Sequence, residues 1–337
     1  MDYRTLGHSG LKVSPLCLGA MMFGGQTDEK TAGQIVARAY EQGINFIDTA
    51  NVYNGGKSEE VVGRLVAENR GKWVLATKFA GGHGGWPNEN GASRKHVIAA
   101  VEASLKRLGT DYIDLVYVHR EDRETPPAET IRALSDLIRA GKLRYYGLSN
   151  HRAWKIAEFS HTADRLGTDR PAASQPLYNL ANRQVEAEHL TACYHYGVGV
   201  VPYSPLARGV LTAKYTPGEA PPADTRAGRS DKRIAETEWR PQTLELAQEI
   251  KRHATARGLT PGQFAVAWVL ASKFVTSAIA GPRTLEQWED YMPALSYKWT
   301  AEDEALVDRF VVTGHASTPG YNDPGHPSLG RVLRTAS

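Results

Sequence analysis

A chain of 337 residues with 41% hydrophobic and 23% charged side chains has the composition of an ordinary soluble globular protein, long enough to bury roughly three quarters of its unfolded surface without covalent staples. Its 40 Lys and Arg against 37 Asp and Glu leave a formal charge of +3, far from the clustered basic excess of a nucleic-acid binder. The opening MDYRTLGHSG has no basic segment leading into an apolar run, no stretch approaches about 18 consecutive apolar residues, and Cys17 and Cys193 lack a CxxC or metal-like spacing. The expectation is a cytoplasmic protein with no membrane or nucleic-acid partner, no bound metal, and an oligomeric state that is left open.

From the N-terminus, YRTLGHSGLKV reads as a short hairpin turning at GHSG. Short apolar runs then alternate with helical periodicity to the end of the chain. The runs are SPLCLGA, NFIDTA, WVLATK, YIDLVYVH, LRYYGLS, AASQ, VGVVPYS and SAIAG. All but the sixth carry the dense apolar content of strands covered on both faces. Helical patterns occupy residues 29–42, 57–69, 93–108, 126–140, 153–166 and 184–196, with two more at 241–257 and 261–272. Ser93 is placed as an N-cap, and Gly43, Gly109, Gly141 and Gly197 stand where left-handed C-caps sit.

Three stretches lack periodicity. Residues 81–91 hold five glycines and Trp86, residues 212–239 are rich in Pro, Gly, Ala and charge, and residues 314–337 are rich in Pro and Gly. The second is longer than usual loops, which makes it a functional lid or a partly disordered segment. The first two interrupt a continuing βα count and are loops, not linkers. Eight βα units predict an α/β fold, a (β/α)8 TIM barrel with an N-terminal hairpin and long loops at its C-terminal face. Residues 1–313 form one domain on this reading, and 314–337 form an irregular tail.

In such a barrel, chemistry is expected at the C-terminal ends of the strands. Asp48 follows NFI with Tyr53 five residues on, Lys78 ends WVLAT, and His119 ends YIDLVYV. Singly, each has a plainer use: a helix cap, a packed phenol, a solvated strand end, a core histidine. Their joint placement on successive strand ends argues for a site. Ser149, Asn150, Gln175, Tyr203 and Ser204 end later strands, a set suited to holding a planar amide-bearing ring such as nicotinamide.

The motifs GINFIDTANVYNGGKSEE, VLATK, YIDLVYVHR, YYGLSN, SQPLYN, PYSPLARGVL and AGPRTLEQWED, in this order, make the chain resemble the aldo-keto reductases over nearly its whole length. The resemblance is closer to the bacterial and channel β-subunit-like branch than to aldose reductase. It implies Tyr53 as general acid, Lys78 and Asp48 as its supporting ion pair, and His119 as the group that orients the carbonyl. A phenol with an ordinary pKa near 10 benefits from a downward shift of about two units, or roughly 2.7 kcal/mol. One ammonium at about 4 Å supplies on the order of 4 kcal/mol.

The resemblance also implies NADP(H), bound without the GxGxxG of a Rossmann fold. Ser149, Asn150 and Gln175 would hold the carboxamide while Tyr203 stacks on the ring. Ser204, Leu206, Gly209 and Leu211 would line the pyrophosphate, and Arg283 would pair with a 2′-phosphate. Gln287 and Asp290 fall where the family contacts adenosine, although Tyr291 stands where the pattern usually has Asn. Gly19, Ala20, Met21, Asp48, Lys214 and Gly281 complete the expected contacts. Met21, Met22, Phe23, Tyr53 and Trp86 would line the substrate pocket, suiting an aromatic or sugar-like carbonyl. Two other readings stand beside the reductase. One is an NADP(H)-binding accessory subunit with little turnover. The other is a metal-dependent barrel hydrolase, against which no HxH follows the first strand.

Overall fold

The computed structural model describes residues 1–81 and 85–328. The expectations for residues 82–84 of the glycine-rich loop and 329–337 of the tail lie outside them. The hairpin is present as β1 (Arg4–Thr5) and β2 (Lys12–Val13), antiparallel with Arg4 opposite Val13. Eight parallel strands follow: β3 (Leu16–Gly19), β4 (Phe46–Asp48), β5 (Val74–Phe79), β6 (Ile113–Val118), β7 (Leu143–Ser149), β8 (Ala173–Gln175), β9 (Gly199–Val200) and β10 (Ala278–Ala280). They pair in chain order, with β10 against β3.

The sheet closes on itself. The amide of Thr276 donates to the carbonyl of Val200 at 2.8 Å and that of Ile279 to Pro202 at 3.0 Å, joining the β10 edge to the β9 edge. A closed sheet leaves no free edge, and the TIM barrel is the result.

Helices cover the outside: α1 (Glu29–Glu41), α2 (Lys57–Val66), α3 (Arg94–Leu108), α4 (Pro127–Arg139), α5 (Ala153–Leu166), α6 (His189–Tyr196), α7 (Lys232–Glu236), α8 (Pro241–Ala256), α9 (Pro261–Ala271), α10 (Leu285–Tyr291) and α11 (Ala301–Phe310). Ser93 does cap α3, its side chain accepting from the amide of His96, and Gly109 and Gly197 take the left-handed C-cap conformation. The pattern at 184–196 resolves into a 3-10 turn and the shorter α6, because Glu188 between them is not helical. The short α7, with α10 and α11, adds helices beyond those read from periodicity.

Strand alternation decides what fills the barrel. Side chains two apart share a face, so Cys17, Phe46, Val74, Ala76, Leu115, Tyr117, Ala173, Val201 and Ile279 pack inward, closed below by Leu6 and Val13 of the hairpin. The alternate residues, among them Ile47, Leu75, Val116, Leu148 and Val200, pack outward against the helices. The next inward positions toward the C-terminal rim are Gly19, Asp48, Lys78, His119, Gln175, Tyr203 and Gly281. The pleat that buries the core therefore also points these residues into the mouth of the barrel.

Helix packing is tight in places. A Cβ added at Gly63 of α2 would lie 2.2 Å from the carbonyl oxygen of Leu108 at the end of α3. Backbone cannot retreat like a side-chain tip, so Gly63→Ala should force α2 and α3 apart and lower stability by about 1–3 kcal/mol, read as a lower urea midpoint. An unchanged midpoint would show that the two helices separate freely.

Candidate active site

At the C-terminal mouth lies a cavity of about 660 Å³. Its floor is a buried ion pair. Lys78 is fully buried, Asp48 nearly so, and the ammonium donates to Asp48 Oδ1, to the carbonyl of Thr49 at 2.7 Å and to the Tyr53 hydroxyl at 3.3 Å. The second oxygen of Asp48 accepts from Gln175 Nε2 at 3.0 Å. Tyr53 stands on a 3-10 turn after β4, and the neighbouring Asn54 pins that turn by donating to the carbonyls of Met21 and Phe23 at 3.0 and 2.8 Å. His119 meets Tyr53 edge-on, ring centroids 6.0 Å apart. The four residues are thus brought together.

The charges follow from burial. Burial would lower the Lys78 ammonium, but the carboxylate of Asp48 and the phenol of Tyr53 reverse this and raise it, so it stays charged. His119 is held well below its ordinary value, first by burial and then by Lys78 and Arg120, so its imidazole is neutral. Its Nδ1 is buried with no hydrogen-bond partner among the described residues.

Tyr53 corrects one expectation. The sequence argument has Lys78 lowering the phenol, yet its pKa is raised, because burial outweighs the ammonium and Asp48 opposes it. The phenol therefore keeps its proton at neutral pH.

One wall carries the amide-bearing set. Asn150 takes a left-handed φ of 59°, a conformation Asn tolerates better than most residues. Its Nδ2 donates to the carbonyl of His119 at 2.9 Å and to Ser149 Oγ at 3.1 Å, and its Oδ1 accepts from the Tyr203 hydroxyl at 2.8 Å. Ser149 Oγ donates to the carbonyl of Gln175 at 3.0 Å. Gln175 uses its Nε2 on Asp48, which leaves its Oε1 as an acceptor.

Beyond Tyr203 the backbone is unusual. Ser204, Ala207, Arg208 and Ala213 all have φ between 47° and 57°, and Gly209 has φ 91°. Non-glycine residues avoid this region, at a penalty of order 1–3 kcal/mol each, and such strain clusters at functional sites. Leu206 (φ −94°, ψ 14°) followed by the left-handed Ala207 is the right-then-left succession that gathers N–H groups around an anion. At Gly209 any Cβ would sit 3.0 Å from the Lys214 ammonium.

The far end of the cavity is cationic. Lys214, Arg226, Arg229 and Arg283 line it together, and the ammonium of Lys214 is lowered by burial and then by Arg283 and Arg226. Mutual repulsion of this kind is relieved by a bound polyanion. Gln287 Oε1 accepts from the amide of Arg283 at 2.8 Å and so fixes the start of α10.

Of the expected contacts, Gly19, Met21, Asp48, Ser149, Asn150, Gln175, Tyr203, Ser204, Leu206, Gly209, Lys214, Gly281, Arg283, Gln287 and Asp290 line the cavity, as does Tyr291. Ala20 and Leu211 are instead fully buried behind it. Asp290 is engaged elsewhere, accepting from Gln263 Nε2 at 2.9 Å and Thr260 Oγ1 at 3.1 Å. Met21, Met22 and Tyr53 line the cavity, as expected for the substrate pocket, whereas Phe23 is fully buried and Trp86, 78% exposed, stands off it.

Residues not foreseen are Arg120, Arg208, Arg226, Arg229, Arg233 and His326. The stretch 226–233 offered a signal in its four basic side chains. His326 offered none.

The stretch 212–239 is built over the cavity: Arg229 donates to Gln26 Oε1 across it at 3.3 Å, and Arg233 pairs with Asp323 of the C-terminal segment at 2.5 Å. No helix among the described residues is long and apolar enough to cross a membrane.

Residues 15–311 match the sequence model of the aldo/keto reductase family. Among curated proteins, the chain is 40% identical over 301 residues to an Arabidopsis thaliana protein named a probable voltage-gated potassium channel subunit beta, covering 88% of this chain and 91% of the relative. An Oryza sativa protein of the same name is 41% identical over 302 residues, with 88% and 91% covered. YrpG of Bacillus subtilis, named an uncharacterized oxidoreductase, is 38% identical over 330 residues, 95% of this chain and 98% of that one.

The buried pair generates a stability test. Burial already raises the Asp48 carboxyl against the attraction of Lys78, so Lys78→Met, which leaves that group buried without its counter-ion, should destabilise by about 3–5 kcal/mol, whereas Lys78→Met with Asp48→Asn should lose much less. Urea unfolding of the three proteins measures this; equal losses would show that the pair is not coupled.

Proposed function

The chain belongs to the aldo/keto reductase family of nicotinamide-nucleotide oxidoreductases, and from that premise we propose that it uses NADPH to reduce an aldehyde or ketone to the alcohol. The observation that carries this reading is the Tyr53 phenol with the buried Lys78 ammonium 3.3 Å from its oxygen and the His119 ring at its edge; burial raises the phenol and lowers the imidazole, which favours the neutral form of both. NADPH, when bound, would supply the hydride.

The protein's own groups do the rest. His119 can donate a hydrogen bond to a carbonyl oxygen while remaining neutral, and so orients it without competing for the proton. Tyr53 gives its proton to that oxygen as charge develops there. The departing phenolate is met by Lys78, worth on the order of 5 kcal/mol at 3.3 Å and an effective dielectric of about 20. Asp48 keeps Lys78 charged and aimed, at the expense of some of that attraction.

The polar wall of Ser149, Asn150 and Gln175 fits a carboxamide, and the strained 204–209 turn with Lys214, Arg226, Arg229 and Arg283 fits phosphates. Arg283 at the start of α10 supports a 2′-phosphate and thus NADP(H) over NAD(H).

The names of the two plant relatives favour a second reading, an NADP(H)-binding accessory subunit with slow turnover. Steady-state NADPH consumption with a panel of aldehydes, ketones and keto-sugars separates the two, since binding without consumption is the subunit's signature. Tyr53→Phe should lower kcat for carbonyl reduction by about 10²–10⁴-fold while NADPH binding stays nearly unchanged. Turnover retained in that variant would remove Tyr53 from the mechanism. Arg283→Ala should weaken NADPH at least about tenfold more than NADH, measured as the ratio of their Kd values. Equal losses for both nucleotides would refute the 2′-phosphate assignment.

A further inference from the structure

The cavity wall carries seven cationic side chains, Arg120, Arg208, Lys214, Arg226, Arg229, Arg233 and Arg283, against two carboxylates, Asp48 and Asp290. Both carboxylates are already engaged, Asp48 by Lys78 and Asp290 by Gln263 and Thr260. Lys214, Arg226, Arg229 and Arg283 are those assigned above to nucleotide phosphates. Arg120 is not at that end. It follows His119 directly in the chain, and its charge is felt by the His119 ring and by His326, so it stands at the catalytic mouth.

Arg120 is exposed at the rim and has no salt-bridge or hydrogen-bond partner among the described residues. The nearby Arg152 and Arg123, in contrast, are paired with Glu121, and Arg152 also donates to the carbonyl of Pro327 at 2.6 Å. Those bonds lay residues 321–328 along the mouth. Asp323 holds Arg233 at 2.5 Å, and His326, which burial keeps neutral, completes the rim beside Arg120. The result is a guanidinium without a partner among the described residues and a neutral imidazole donor, both lining the cavity that Tyr53 and His119 also line. The apolar residues there, Met21, Met22 and Val52, offer nothing to an uncharged polar tail.

We propose that the carbonyl substrate is itself an anion, whose carboxylate or phosphate is held by Arg120 with His326 at the mouth of the cavity. This rests on the reductase reading and narrows its substrate class. A planar guanidinium pairs two-pronged with either oxyanion, which gives orientation as well as attraction. The charge also draws anionic substrates toward a mouth that repels cations.

The test compares isosteric aldehydes. For the carboxylate arm, kcat/KM with NADPH is measured for 4-carboxybenzaldehyde and its neutral counterpart 4-formylbenzamide. For the phosphate arm the pair is 4-formylphenyl phosphate and the neutral 4-formylphenyl methanesulfonate, whose sulfur centre is likewise tetrahedral. In at least one arm the anion should be preferred about tenfold or more, and the favoured arm names the group. Arg120→Gln should bring that ratio down by about tenfold, mainly through KM, and raised ionic strength should erode it in the unmutated protein.

Ratios near one in both arms, or a ratio that Arg120→Gln does not change, overturn the proposal. If NADPH binds but no aldehyde is reduced, the reductase reading fails by itself. The proposal is then decided by calorimetry on the NADPH-loaded protein, where tighter binding of the anions that is lost in Arg120→Gln upholds it and equal binding overturns it.

Discussion

Everything at the mouth of this barrel is organised around one interaction, the Lys78–Asp48 ion pair inside the ring of strands. Taking two charges out of water costs several kcal/mol per ion, and their attraction offsets that only when the remaining bonds are made. Here they are made: the ammonium also reaches the Thr49 carbonyl and the Tyr53 hydroxyl, and the carboxylate also receives Gln175. Strands β4, β5 and β8 and the turn bearing Tyr53 are therefore tied to one buried knot. A hydrophobic pair of the same volume often serves stability as well, and on the proposed reading the charges act on the phenol.

The polarity of the cavity extends from that knot. Its floor is neutral overall, one ammonium against one carboxylate, with an uncharged phenol and imidazole above them. Its two ends are cationic, one on the segments 204–214, 226–229 and 283, the other at Arg120. Rigid strand ends carry the floor and loops carry the charge, which is how a barrel fixes chemistry and leaves recognition adjustable.

Much of this was legible because strand alternation is strict. The residues two positions beyond the inward core, Asp48 after Phe46, Lys78 after Ala76, His119 after Tyr117 and Gln175 after Ala173, had to point into the mouth once the eight strands were counted. The apolar runs and the glycine C-caps gave the count. Positions away from strand ends were harder, since no periodicity governs them. Phe23 and Trp86 were expected on the wall, but the first packs inside and the second faces solvent. His326 reaches the mouth through long-range bonds such as those at Asp323, Pro327 and Tyr321, which no local pattern records. The direction of the Tyr53 shift needed burial as well as distance, and a sequence supplies neither.

The ring of strands is also uneven. Strands β5 to β7 have six or seven residues each, whereas β8, β9 and β10 have three, two and three. The seam that closes the barrel is thus its thinnest part, held by few backbone bonds, and local opening is cheapest where such bonds are fewest. The strained 204–213 turn leaves from one side of that seam and Arg283 from the other. An anion clasped by both would act as a rivet across the closure, so that ligand occupancy and the integrity of the ring become one equilibrium. Such a protein is sturdiest when loaded, and whatever concentration of ligand surrounds it sets how firmly its last strands stay shut.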